Sequence, residues 1–215
     1  MRLVRSRILI CVVLLGVASA CGESTTVAQL TSTSSTVRSE IAPTTRTTTE
    51  VSTTDPLETL LVTSVPARYL RQDDSVGDTG PSDLAKAVAD DGEPDAQSAL
   101  TSSGFVHGYQ RLWETKGGDQ LIVFLYQFAS ASGSSSYGAR IVDFWKADTS
   151  ASVKTIAVPQ IPGAAGLEIT DTSISAVSVT FSKGPYLVEV LTNGSVAADL
   201  RTLAQQIAAD QYKRL

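Results

Sequence analysis

The sequence predicts an α+β domain, a mainly antiparallel sheet of about five to six strands covered by helices. Three observations carry that expectation. Two apolar runs, Phe105 to Trp113 and Leu121 to Phe128, flank the turn Thr115-Lys116-Gly117-Gly118-Asp119. Tyr137, Ile141, Phe144 and Trp145 then fall at helical spacing on one stripe. A second pair, Ile174 to Phe181 and Tyr186 to Leu191, closes across Ser182-Lys183-Gly184-Pro185 and leads into a last helical stripe. Hairpin-linked strands with helices between the blocks belong to the α+β class.

The chain begins with Arg2, Arg5 and Arg7, an apolar run from Ile8 to Ala18, and the small-residue approach Ala18-Ser19-Ala20-Cys21. This is the layout of a secretory signal, and the run falls short of the roughly 20 apolar residues of a spanning helix. The stretch resembles a bacterial lipoprotein signal, whose lipobox ends in the cysteine that is acylated after cleavage before it. Residues 1–20 are then the signal peptide and Cys21 the lipidated residue. The resemblance implies a lipid anchor, with the domain held at the outer face of the cytoplasmic membrane. Cysteine usage agrees: of two cysteines only Cys21 survives cleavage, and a single leftover cysteine in a secreted chain calls for such an explanation. It also excludes an intramolecular disulfide and a cysteine-rich zinc site.

Residues 21–55 read as a tether. Runs such as Thr31-Ser32-Thr33-Ser34-Ser35-Thr36 leave too few apolar positions for a packed face, so a disordered Ser/Thr-rich spacer is expected. About 34 residues of coil span roughly 30 Å and reach about 110 Å when extended. Tracts of this kind are similar to the glycosylated tethers of actinobacterial lipoproteins, and a bare spacer serves equally well.

Residues 56–215 then form one domain of about 160 residues, enough to bury roughly 70% of the unfolded surface. It opens with Leu57 to Leu61 and Tyr69-Leu70. Pro81-Ser82-Asp83 predicts a helix start before Leu84 and Val88, and Asp90-Asp91-Gly92 its stop. Glu93-Pro94-Asp95 predicts a second short helix with proline at an early helical position, ended by Gly104. Phe105 to Trp113 alternates, and Leu121 to Phe128 is apolar almost throughout, as a central strand covered on both faces should be. A helix is expected over Ser132 to Lys146, a strand over Val153 to Val158, and a short strand over Leu167 to Thr170. After the second hairpin, Asn193-Gly194-Ser195 is expected to cap a final helix carrying Val196, Leu200, Leu203 and Ile207.

This order is similar to the sandwich of Mog1/PsbP-like domains found in several actinobacterial lipoproteins. Gly104-Phe105-Val106-His107-Gly108-Tyr109, Tyr126-Gln127-Phe128 and Lys183-Gly184-Pro185-Tyr186-Leu187-Val188 resemble uncharacterised secreted proteins of that group. The resemblance runs from Leu57 to Leu215, carries no catalytic motif, and implies an envelope domain without fixing its ligand.

Charge narrows the partners. Without the leader's three arginines the balance is 14 basic against 22 acidic residues, a net of −8, and no basic cluster offers a nucleic-acid footprint. No nucleic-acid partner is expected. Catalytic motifs fail on inventory: His107 is the one histidine, so a Ser-His-Asp triad would depend on it alone and a His-rich metal site is excluded. Ser134-Ser135-Ser136-Tyr137, between Gly133 and Gly138, matches neither a nucleophile elbow nor a phosphate loop. Asp73, Asp74, Asp78, Asp83, Asp90, Asp91, Glu93 and Asp95 lack the spacing of a calcium loop and read as a solvated acidic face.

On the first clear strand Phe105, His107, Tyr109, Arg111 and Trp113 share one face by alternation. That face is either core under a helix or a binding strip of Tyr109, Arg111 and Trp113. The expected function is a non-catalytic, membrane-anchored binding or interaction module of the cell envelope, with an unknown envelope protein or ligand as partner. No cofactor, no metal and no catalytic residue are expected. The alternatives are a carrier of a lipid or other apolar ligand, which needs a cavity of roughly 300–1,000 Å³, and an envelope hydrolase, which needs polar groups converging on His107.

Overall fold

The computed structural model describes residues 55–172 and 175–215. The leader, Cys21, the tether up to residue 54, and Ile174 lie outside the described residues.

The domain is α+β with an all-antiparallel sheet. In chain order its elements are α1 (Pro56–Leu60), β1 (Leu70–Arg71), β2 (Gly80–Ser82), α2 (Leu84–Asp91), α3 (Ala96–Ser102), β3 (Phe105–Glu114) and β4 (Gln120–Phe128). There follow α4 (Ala131–Ala147), β5 (Ser152–Ile156), β6 (Ala165–Thr170), β7 (Ser175–Lys183), β8 (Tyr186–Gly194) and α5 (Ala197–Arg214). The strand order is β1-β3-β4-β8-β7-β6-β5, with β2 also pairing with β3. The sheet thus has eight strands rather than five to six. The additions are β1 and β2, of two and three residues, which share the outer edge of β3. Neither is long enough to show alternation, and Gly80-Pro81 disguises the second.

Pleating sorts the sheet into two faces. Tyr109, Trp113, Leu121, Val123, Leu125, Val177, Val179, Phe181, Val188 and Val190 point to one, where Leu200, Leu203, Ala204, Ile207 and Ala208 of α5 and Leu57 and Leu61 of the N-terminal segment join them in a single core. Each such valine, leucine or isoleucine side chain stabilises the fold by about 1.5–3 kcal/mol when fully buried. The opposite face meets α4, whose Tyr137, Ile141 and Trp145 are 1–2% exposed. β4, between β3 and β8, is therefore buried on both sides.

Local chemistry sets the boundaries, with four departures from expectation. Asp83 accepts from the Lys86 amide at 2.8 Å and caps α2, so Pro81 and Ser82 belong to β2 instead of the helix start. Asp95, without a side-chain cap bond, precedes α3, and Pro94 lies outside the helix. Val196 is the residue before α5 and again no side chain caps it; Ser195 instead donates its amide to Asp119 at 3.3 Å. A register shift between Phe105 and His107 inserts an extra residue in β3. Such a bulge reverses the alternation, so Phe105 leaves the face of Tyr109 and packs edge-on to Tyr126 and Phe128. The β7–β8 hairpin closes through the two-residue loop Gly184-Pro185, with Gly184 at φ 58° as the primed turns require.

Candidate functional site

The site is built where α4 crosses the sheet toward β6. Ser130 accepts from the Gly133 amide at 3.1 Å and starts the helix. Two turns on, Gly138 lets the helix settle close to the sheet: a Cβ there would lie 2.9 Å from Leu187 Cδ1 and 3.5 Å from the Ser182 hydroxyl. The strand beneath is two-sided. Val177, Val179 and Phe181 of β7 serve the α5 core, while Ser178, Thr180 and Ser182 form a hydroxyl row under α4.

Beside Gly138 this arrangement leaves an open groove of about 390 Å³. One wall is α4 at Ser135, Ala139, Val142 and Asp143, the other the loop at Pro162 and Gly163 with Ala165, and the floor is Thr180 to Ser182. Behind the floor the buried carboxylate of Glu189, across the ladder from Thr180, accepts from Ser178 at 3.0 Å and from the Trp145 indole at 3.2 Å. Ser178 and Thr180 hydroxyls stand 3.4 Å apart, so the floor is continuous with a satisfied internal polar network. Asp143 is the one ionisable side chain in the lining. Chemically the groove offers hydroxyl donors and acceptors, a single negative charge, and small apolar shelves.

Tyr109, Arg111 and Trp113 lie elsewhere. They are 2%, 3% and 3% exposed, on the α5 side of the sheet, so the alternation on β3 marks an interior face and not a strip open to solvent. The covering elements are α5 and the segment around α1, which alternation on β3 cannot reveal. Within this face the Arg111 guanidinium sits 5.8 Å from the Tyr109 ring and 6.0 Å from that of Trp113. It donates to Glu58 at 2.9 Å and to the Val62 carbonyl at 3.4 Å, while its Nε is buried with no hydrogen-bond partner. Burial, and then the charge of Arg71, draw Arg111 below its ordinary value.

His107 is partly exposed, 3.8 Å from Asp55, and does not line the groove. The acidic residues are distributed among structural tasks. Asp73 caps the Ser75 amide at 2.9 Å, Asp83 caps α2, and Asp90 bonds Gln110 while Lys86 stands 3.6 Å away. Asp91 is buried against Tyr137 and Arg140, and Asp95 meets Arg140 at 2.5 Å. Among the described residues no group of three His, Cys, Asp or Glu side chains is placed to hold a metal, and no described helix is long and apolar enough to cross a membrane. Sequence reasoning passed over the groove, although Ser178, Thr180 and Ser182 alternate with Val177, Val179 and Phe181 in plain view.

No family model matches the sequence, and no curated protein matches it. Among solved structures, the chain is similar to the extracellular domain of PknH from Mycobacterium tuberculosis, with a TM-score of 0.43 and 11% identity over 73% of this chain and 94% of that one. A GTP binding regulator from Thermotoga maritima, TM1622, gives 0.34 and 13% over 70% and 80%. Likeness at this level carries no functional argument.

Proposed function

We propose that the protein is a cell-envelope lipoprotein, anchored through Cys21 at the outer face of the cytoplasmic membrane, whose domain is a non-catalytic binding module with the α4–β7 groove as its seat. The leader and tether support the anchoring. The observation that carries the binding role is the groove itself, whose volume falls in the range of small-molecule sites and whose floor is a hydroxyl row joined to a satisfied polar network. Asp143 is the one ionisable side chain in that lining. The same lining favours a small, hydrogen-bonding, uncharged or cationic ligand over an anion or a fatty chain.

Titrating the isotopically labelled chain with glucose, with a primary alkylamine and with a fatty acid tests this reading. A polar ligand should move the amide resonances of residues 135–143 and 180–182, and Thr180→Val with Ser182→Ala should abolish the change. Shifts with the fatty acid alone would instead support an apolar carrier. Shifts confined to other regions would remove the groove from consideration.

A further inference from the structure

The segment 55–62, where the preceding 54 residues join the domain, is held unlike the strands of the sheet. Every strand of the sheet is fixed by a backbone ladder. Residues 59–62 are fastened to the domain by side chains. Gln211 accepts from the Val62 amide at 2.7 Å and donates to the Leu60 carbonyl at 3.0 Å. Arg214 donates to the carbonyls of Leu60 and Thr59 at 3.2 and 2.9 Å. Arg111 takes the Glu58 carboxylate and the Val62 carbonyl, and Arg71 meets Glu58 from outside at 3.2 Å. Between these polar fasteners Leu57 and Leu61 insert into the core beside Tyr109 and Trp113. The helix within the segment is five residues long, too short to persist in water without its contacts.

We infer that residues 55–62 are a strap that opens as a unit ahead of the domain, uncovering the face of Tyr109, Arg111 and Trp113 at the point where the tether enters. Opening breaks no strand ladder, and its polar fasteners gather on Arg111, Arg71, Gln211 and Arg214. Opened, it leaves an aromatic and aliphatic face with a guanidinium at its centre. That face fits a segment with two leucine-like side chains flanking a carboxylate, which is the pattern of Leu57-Glu58-Thr59-Leu60-Leu61 itself.

Hydrogen exchange on the full chain reads the opening directly. Gln211→Leu keeps bulk and removes both fasteners from that side chain, and Arg214→Ala removes two more from an exposed position. Exchange of the amides of residues 57–62 should accelerate by roughly tenfold or more in either variant, with β4 and β8 unchanged. Lys213→Ala, which alters only an exposed pair with Asp210, should leave the segment as it is. Unaltered protection of residues 57–62 in both variants, or equal acceleration in β4 and β8, would overturn the inference.

Discussion

The Tyr109 hydroxyl donates to the Asp74 carboxylate at 2.9 Å, linking the middle of β3 to the acidic loop ahead of β2. Burial pushes the Tyr109 phenol up to about 12, helped by its bond to Asp74. Burial also pushes Asp74 upward, yet hydrogen bonds from Tyr109 and Arg71 and the Arg71 charge outweigh it, and the carboxyl lies below its ordinary value. The two shifts give opposite pH dependences. A raised phenol contributes stability that is complete below the unfolded value of about 10 and lost as pH climbs toward about 12. A lowered carboxyl contributes stability that is complete above about 4 and lost as pH falls through its folded value. Relative to Tyr109→Phe, wild type should therefore lose stability as pH climbs above about 10 and again as it falls below about 4, so that its advantage is greatest near neutrality. A constant difference across the whole range would show that the pair is not coupled to folding.

Truncating Trp113 to Ala should cost about 3–5 kcal/mol, because the ring is 3% exposed within the α5 core and its loss leaves a cavity. Denaturant titration measures this. A loss under about 0.5 kcal/mol, the scale of surface changes, would contradict the packing.

Gly138→Ala tests how closely α4 rides on β7 and β8. Its new Cβ, 2.9 Å from Leu187 Cδ1, must lift the helix or move the leucine, and overpacking of this kind costs about 1–3 kcal/mol. Raised stability, as expected of alanine in an unconstrained helix, would mean that the contact is looser than described.

Cys21→Ala should move the protein from the membrane fraction to the medium, since several acyl chains at ~0.8 kcal/mol per buried methylene give stable anchoring that one chain does not. Detergent partitioning of the variant checks it, and retention in the detergent phase would sink the lipid anchor.

How legible this molecule was depends on whether the information is periodic. The Tyr137, Ile141, Trp145 stripe and the apolar run of β4 announce themselves because one partner surface dictates every third to fourth residue, or both faces at once. β1 and β2 have no period to read, being defined by what β3 offers them. The bulge at Phe105 to His107 changes the face of one aromatic without changing the pattern of letters. The hydroxyl row of β7 was visible as alternation, but its meaning needs α4 above it and Gly138 to set the separation. The fasteners of the N-terminal segment are the least legible. Gln211 meets Val62 across 149 positions, and nothing local distinguishes it from the other glutamines of α5.

The two borders of the sheet are finished differently, and both finishes discourage joining. On one side β3 is shielded by fragments too short to template a newcomer, one of them bearing Pro81. On the other, β5 is five residues long with Ser152, Lys154 and Thr155 exposed. A lysine on a short outer strand and a proline opposite are devices that deter edge-to-edge aggregation. Copies at high local density can therefore jostle without zipping into a shared sheet.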